Sequence, residues 1–377
     1  MARHLTESDI DSLSIGAAIL GAGGGGDPYL GKLQCRQELR RGMQVPLISL
    51  AELADDALVV PVGGIGAPSI SIEKLEEGKE GLRALRALEK FIGRRADALI
   101  AAEIGGGNAL APIIVAAAAG IGVVDADGMG RAFPEMQMTT FSIYGHRSTP
   151  ATLADERGNV VLFENVASEV WYEKLARSAV VAMGGIASGA EAPMQGRFVK
   201  RAAVPDTVTR CIELGKLVTL ANREHRDAIP LIIEREHGVH VMTAKIVDLR
   251  RHLRGGFSVG EIALEGIDAD AGSRGRIVFQ NEYLTVERGG TVEVSVPDLI
   301  VLLDADTGHA ITTDVLRFGQ RVAVLGLPCH PLLRTARALE VVGPRAFGLN
   351  CEFKPLPQAP GTVSDAPPLP APADETH

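Results

Sequence analysis

DALIAAEIGGGNALAPIIVAAAAGIGVVDADGMG, from Asp97 to Gly130, decides the fold. DALIAAE (Asp97 to Glu103) is a short apolar run of buried-strand type, and IGGGN follows it as a loop. Asn108 is placed to cap a helix that runs through the alanines to about Ala119, where Gly120 ends it. IGVVDAD (Ile121 to Asp127) then reads as a second buried strand. Strand, helix, strand in this order is a right-handed crossover that joins parallel strands. Glu103 and Asp125 fall near the carboxyl ends of those strands, the side on which open α/β sheets bind ligands.

Upstream, Thr6-Glu7-Ser8-Asp9 matches a capping box, with Ile10, Leu13, Ala17 and Leu20 following at helical spacing up to Gly21. Gly21 to Gly31 is expected to be a loop, Ala57 to Val62 a strand, and Leu75 to Phe91 a helix. Past residue 165 two helices are expected, at Glu173 to Met183 and at Thr207 to Leu220 with Thr207 as cap. VHVMTAKIVDL, FSVGEIALEGI, GRIVFQNEYLTV, TVEVSVPDLIVLLD and QRVAVLGL then alternate as strands do. The fold class expected is α/β, a layered N-terminal domain with parallel strands (1–165) plus a β-rich, mostly antiparallel second domain (166–354). Residues 355–377, rich in Pro and Ala, are expected to be a disordered tail.

The net charge of −9 argues against a nucleic-acid partner. No apolar stretch reaches the ~20 residues that a bilayer requires, and the N-terminus lacks the apolar core of a signal peptide. Four widely spaced cysteines suggest free thiols in a reducing compartment. A cytoplasmic protein is therefore expected, and a homo-oligomer is the expected assembly.

Three glycine loops follow α/β elements: GAGGGGD, GGIGAPS and IGGGN. The first formally contains G-x-G-x-x-G, but a helix precedes it and Asp27-Pro28 follows, so a dinucleotide is not its expected ligand. Gly24, Gly25 and Gly26 are instead expected to bring backbone N–H groups to a small ligand, with Asp27 at the loop's end. DADGMGRAFPEMQM adds Asp125, Asp127, Glu135 and Arg131. Clustered carboxylates can supply an acid and a base, hold a divalent metal such as zinc, or form a structural turn with a buried Arg–carboxylate pair. Cys329-His330 is a candidate nucleophile or soft-metal site. Gln280, Asn281 and Glu282 suit recognition of an amide, and equally the polarity of an edge strand.

LTESDIDSLSIGAAILGAGGGGDPYLG, VVPVGGIGAPS, EIGGGNALAP, VVDADGMGRAFPEMQM, FQNEYL, PDLIVLLD, LRFGQRVAVLG and VGPRAFG, in this order, resemble the S-methyl-thiohydantoin desulfurase family. The likeness extends over residues 3 to 354. It implies an α/β N-terminal part, a β-rich remainder, a five-membered cyclic ureide or thioureide as substrate, and a hydantoinase/oxoprolinase protein as a partner. The chemistry of the residues then suggests hydrolytic loss of sulfur from C2 of a thiohydantoin. Asp127 or Glu135 is the expected base and Glu103 its partner or a metal ligand, while Arg131, Asn108 and the Gly24–Gly26 amides hold the ring carbonyl. Hydrolysis of another cyclic amide and non-catalytic ligand binding stand as alternatives.

Overall fold

The structure, a computed structural model, describes residues 3–66, 70, 74 and 77–358. After β1 (Arg3–His4), α1 (Glu7–Leu20) starts from a closed capping box: the Thr6 hydroxyl accepts from the Asp9 amide, and the Asp9 carboxylate accepts from the Thr6 amide. Ile10, Leu13, Ala17 and Leu20 are fully buried, as their spacing predicts. The glycine loop is shorter than expected. α2 (Tyr29–Arg40) begins inside it, with Pro28 at its N-cap and the Asp27 carboxylate accepting the Tyr29 amide at 2.8 Å just ahead of it.

The crossover unit is present. β2 (Pro46–Ile48) and β3 (Leu58–Gly66) precede α3 (Glu80–Ile92), β4 (Ala98–Ala101), α4 (Ala111–Ala119) and β5 (Gly122–Asp127). β3 and β4 pair parallel, as do β4 and β5, with Val59 opposite Ala98 and Leu99 opposite Val123. Gly120 terminates α4 in the left-handed conformation, φ 74°. Asn108 does not cap α4; Leu110 occupies that position, and the Asn108 side chain turns back to Gly64 and Glu103.

The first sheet does not stop at residue 165. β6 (Ala151–Ala154), β7 (Val160–Phe163) and, beyond α5 (Glu169–Ala182), β8 (Ile186–Ala190) extend it antiparallel in the order β1-β2-β5-β4-β3-β8-β6-β7. β9 (Met194–Gln195) adds to β3 and β10 (Val204–Pro205) to β5. α6 (Thr207–Arg223) follows, with Asp206 rather than Thr207 at its cap. Thr207 is the first helical residue and is fully buried.

The β-rich part is a seven-stranded antiparallel sheet. Its strands are β11 (Val239–Arg254), β12 (Phe257–Gly266), β13 (Arg274–Gln280), β14 (Glu282–Arg288), β15 (Thr291–Ser295), β16 (Leu299–Asp304) and β17 (Arg321–Leu327), in the order β15-β14-β13-β12-β11-β17-β16. GRIVFQNEYLTV, one run in sequence, is two strands because Asn281 takes a left-handed φ of 56° between them. This corner meets the first glycine loop: Tyr283 N–H donates to Ala22 O (2.8 Å) and Thr313 N–H to Gly23 O (2.9 Å).

The expected tail begins too early. Leu356 is buried, its amide donates to the Asp298 carboxylate (2.8 Å), and its carbonyl accepts from Arg334 (3.0 Å). Residues 359–377 lie outside the described part.

Candidate active site

A cavity of about 450 Å³ opens where the glycine loops meet the carboxyl ends of β3 and β4, within the range of small-molecule sites. Gly25, Gly26, Asp27, Glu103, Asn108 and Glu135 line it, so the structure brings together six of the sequence-predicted residues. Gly63, Gly64 and Gly66, expected in a loop but forming the end of β3 paired with β8, line it too, while Ala67 to Ser69 lie outside the described residues.

The first and third glycine loops interlock through their backbones. Gly107 N–H donates to Gly25 O at 2.9 Å, and a Cβ on Gly106 would stand 2.3 Å from Gly26 O. The glycines are required first by this contact of backbone on backbone. Gly24 is not part of the cavity wall. Its amide donates to Gly21 O, and a Cβ there would stand 1.8 Å from the Glu282 carboxylate, so Gly24 is the seat on which Glu282 rests.

Glu103 follows β4 and is 8% exposed. Its Oε1 accepts from Asn108 Nδ2 (2.5 Å) and its Oε2 from Phe133 N–H (3.1 Å). Burial pushes its carboxyl up to about 7 despite these donors, with the Asp127 charge adding to the rise. Asn108 is fixed in turn by Gly64 N–H, which donates to its Oδ1 at 2.6 Å. The result is a carboxyl held in one orientation and poised to titrate near neutrality.

Asp127 and Arg131 are placed elsewhere. Asp127 is fully buried, and its carboxylate accepts from the amides of Ile104 (2.9 Å), Met129 (2.9 Å) and Gly130 (2.8 Å). Burial drives its pKa up to about 7 against those bonds. It shapes the turns that carry Glu103 and the 128–130 loop, and it does not reach the cavity. Asp125 is committed as well, accepting from Thr209 N–H at 3.0 Å. Arg131 donates to the carbonyls of Ala132 (2.9 Å), Pro297 (3.0 Å) and Asp298 (2.9 Å) and lies over the Phe133 ring at 4.4 Å. It ties the first layer to the second sheet instead of facing a ligand.

Three carboxyl groups line the cavity that were not assigned to it from sequence: Glu80, which accepts from the amides of Glu77 (2.6 Å) and Gly78 (2.8 Å), Glu191 and Glu282. Glu282, 2% exposed, comes in from the Asn281 corner, and its Oε2 has no hydrogen-bond partner. Burial, then the charge of Glu103, pushes its pKa well up, while Arg131 opposes the rise. FQNEYL did carry a signal here, since consecutive polar residues in a strand pattern suit amide recognition. Glu191, 8% exposed, follows β8. Burial and then the charges of Glu169 and Glu173 raise it to about 8. Nothing in SGAEAP marks it beyond an isolated charge among small residues just after a strand. Arg177 also lines the cavity. It pairs with Glu173, donates to Pro134 O (3.1 Å) and lies over Phe257 at 4.2 Å.

Cys329-His330 lies apart from this cavity. Burial pushes the Cys329 thiol up, so it is held as a neutral thiol, and Arg334 Nε donates to its sulfur at 3.4 Å. His330 Nδ1 accepts from Leu332 N–H and burial lowers its pKa to about 4. Among the described residues no group of three or more His, Cys, Asp or Glu is placed to hold a metal ion.

Two family models match almost the entire chain. The one described as the S-Me-THD-like N-terminal domain matches residues 8–165, and the one described as the S-Me-THD-like C-terminal domain matches residues 167–356. The chain belongs to the S-Me-THD-like family. Its fold is shared with a crystal structure of a protein from Chromobacterium violaceum, solved by the Northeast Structural Genomics Consortium, at a TM-score of 0.75. That protein is 24% identical, and the match covers 94% of this S-Me-THD-like chain and 100% of the other. No curated protein matches. The family label points to thiohydantoin-related function. No helix among the described residues of this S-Me-THD-like protein is long and apolar enough to cross a membrane.

Proposed function

We propose that the cavity hydrolyses a thiohydantoin or S-substituted thiohydantoin at C2, exchanging sulfur for oxygen. The observation that carries this reading is the pair of buried carboxyl groups in one cavity, Glu103 and Glu282, where the charge of one opposes ionisation of the other. With the charge of one opposing ionisation of the other, one carboxyl can serve as base while the other keeps its proton as acid.

Glu103 is the base. Held by Asn108 and Phe133 N–H, it takes a proton from a water as the water oxygen bonds to C2. The electron pair of the C2=N3 bond moves onto N3 and, by conjugation, toward the C4 oxygen. Gly25 and Gly26 line the site, and we assign their amides as the donors to that oxygen. When the C2 oxygen loses its remaining proton and C2=O re-forms, the C2–S bond breaks with its electrons on sulfur. Glu282 supplies the proton to the departing thiolate, and the protons taken from water restore N3–H and the acid. For an S-methyl substrate, water is consumed and hydantoin and methanethiol are formed, with no oxidant or reductant.

A thiol-release assay with S-methyl-thiohydantoin tests the reading. Glu103→Gln is expected to lose at least about 10²-fold in kcat, the scale of one positioned acid–base group, while still binding the product hydantoin. Unchanged turnover in Glu103→Gln and in Glu282→Gln would remove both roles.

A further inference from the structure

Of the buried polar atoms that lack a hydrogen-bond partner among the described residues, two belong to residues lining the cavity: Arg177 Nη1 and Glu282 Oε2. The first belongs to a cation and only donates; the second is a carboxyl oxygen. The rest of the Arg177 fork is engaged, Nε with Glu173 and Nη2 with Pro134 O (3.1 Å). A buried donor left unmade is costly, and neither atom has surface open to solvent through which a ligand could reach it. Glu282 therefore faces a substrate with its other oxygen.

Packing puts Arg177 beside the corner that carries Glu282. Its side chain lies against the turn between β11 and β12, where a Cβ on Gly256 would stand 2.9 Å from Arg177 Cδ, and its guanidinium lies over the Phe257 ring. The next residue, Ser258, exchanges bonds with Asn281: Ser258 N–H donates to Asn281 Oδ1 (2.9 Å) and Asn281 N–H to Ser258 O (2.8 Å). Asn281 immediately precedes Glu282. Burial and the Glu103 charge favour the protonated form of Glu282, while the cations Arg131 and Arg177 act against them. Arg131 has its nitrogens engaged by the carbonyls of Ala132, Pro297, Asp298 and Tyr283, whereas Arg177 keeps one without a partner.

We infer that Arg177 is the counter-ion of the acid: a positioning residue that stabilises the Glu282 carboxylate left behind when its proton passes to the departing thiolate. This rests on the assignment of Glu282 as the acid. While Glu282 is neutral, Arg177 attracts it little. As the S–H bond forms and the Glu282 O–H bond breaks, negative charge appears on the carboxylate, and the attraction between groups shielded from water grows with it. An interaction that strengthens along the reaction lowers its barrier. Arg177 itself exchanges no proton and stays charged throughout.

The test compares kcat of the full chain for S-methyl-thiohydantoin and for its S-(2,2,2-trifluoroethyl) analogue, whose thiolate is the weaker base and leaves with less help from an acid. Arg177→Met is expected to lower kcat at least about tenfold for the S-methyl compound, part of the 10²-fold or more that a positioned acid supplies, and less than about threefold for the trifluoroethyl compound. Arg177→Lys, which keeps the cation, is expected to hold the S-methyl rate within about threefold on the same scale. Arg177→Gln gives the same comparison should Arg177→Met lack the native circular dichroism. Equal losses on both substrates in the neutral variants, no loss on either, or a lysine variant no better than the neutral ones would overturn the inference. Glu282→Gln separates it from the reading beneath it. Full S-methyl turnover in that variant would remove the acid itself, whereas a loss there with equal losses at Arg177 would remove only the counter-ion.

Discussion

Glu103 is the residue on which the proposed chemistry turns, and its surroundings bear on how it holds a proton. Two donors fix the carboxyl and burial brings its pKa to about 7. As a base it acts only when ionised, so kcat/KM is expected to rise with pH through about 7. Glu103→Gln is expected to lose that limb in a pH–rate profile, whereas Asn108→Asp, which keeps the shape but adds a charge beside Glu103, is expected to move it to higher pH. Gly24 is a second single-residue test. A methyl group there would meet the Glu282 carboxylate, so Gly24→Ala is expected to cost about 1–3 kcal/mol of stability in denaturant titration and to reduce turnover, with the Gly24 φ itself remaining unstrained. The sequence made Glu103, Glu135 and Asn108 legible because each follows a strand, and Gly25 and Gly26 because a glycine run breaks the end of α1. It misled at Asp127 and Arg131, since a carboxylate spent on three amides and a guanidinium spent on carbonyls look the same in sequence as a reactive pair.

Among elements, the strand–helix–strand unit from β4 to β5 and the antiparallel strands from β11 to β17 were legible because period and punctuation coincide there. Gly120 and the Thr6–Asp9 box are local signals with local partners. The return of β8, β9 and β10 to the first sheet was not legible, because pairing between residues far apart in the chain leaves no periodic trace. Arg131 is the buried cation at the seam between the two sheets. Arg131→Met removes a buried guanidinium from the carbonyls of Ala132, Pro297 and Asp298, each costing about 1–3 kcal/mol when left unpaired. Loss of at least about 3 kcal/mol is expected by chemical denaturation. A stability within 1 kcal/mol of the unaltered chain, on that same order-of-magnitude scale, would mean the seam is held by other contacts.

At the scale of the whole molecule, the cavity makes folding depend on pH. Glu191 titrates at about 8 in the folded chain against an ordinary 4.5, so the native state holds its proton more tightly than the unfolded state does. Its stabilising contribution is full below about 4.5 and is lost as pH rises through about 8. The melting temperature is therefore expected to fall between pH 6 and pH 9, and Glu191→Gln is expected to flatten that fall. Glu191 lines the same cavity as Glu103 and Glu282, the base and acid of the proposed chemistry. The most direct test of that chemistry is turnover of S-methyl-thiohydantoin in ¹⁸O-labelled water, followed by mass spectrometry of the product. Hydantoin carrying one heavy oxygen at C2, formed together with methanethiol, is the predicted result. Hydantoin without the label, or methanethiol-free conversion, would contradict attack by water at C2.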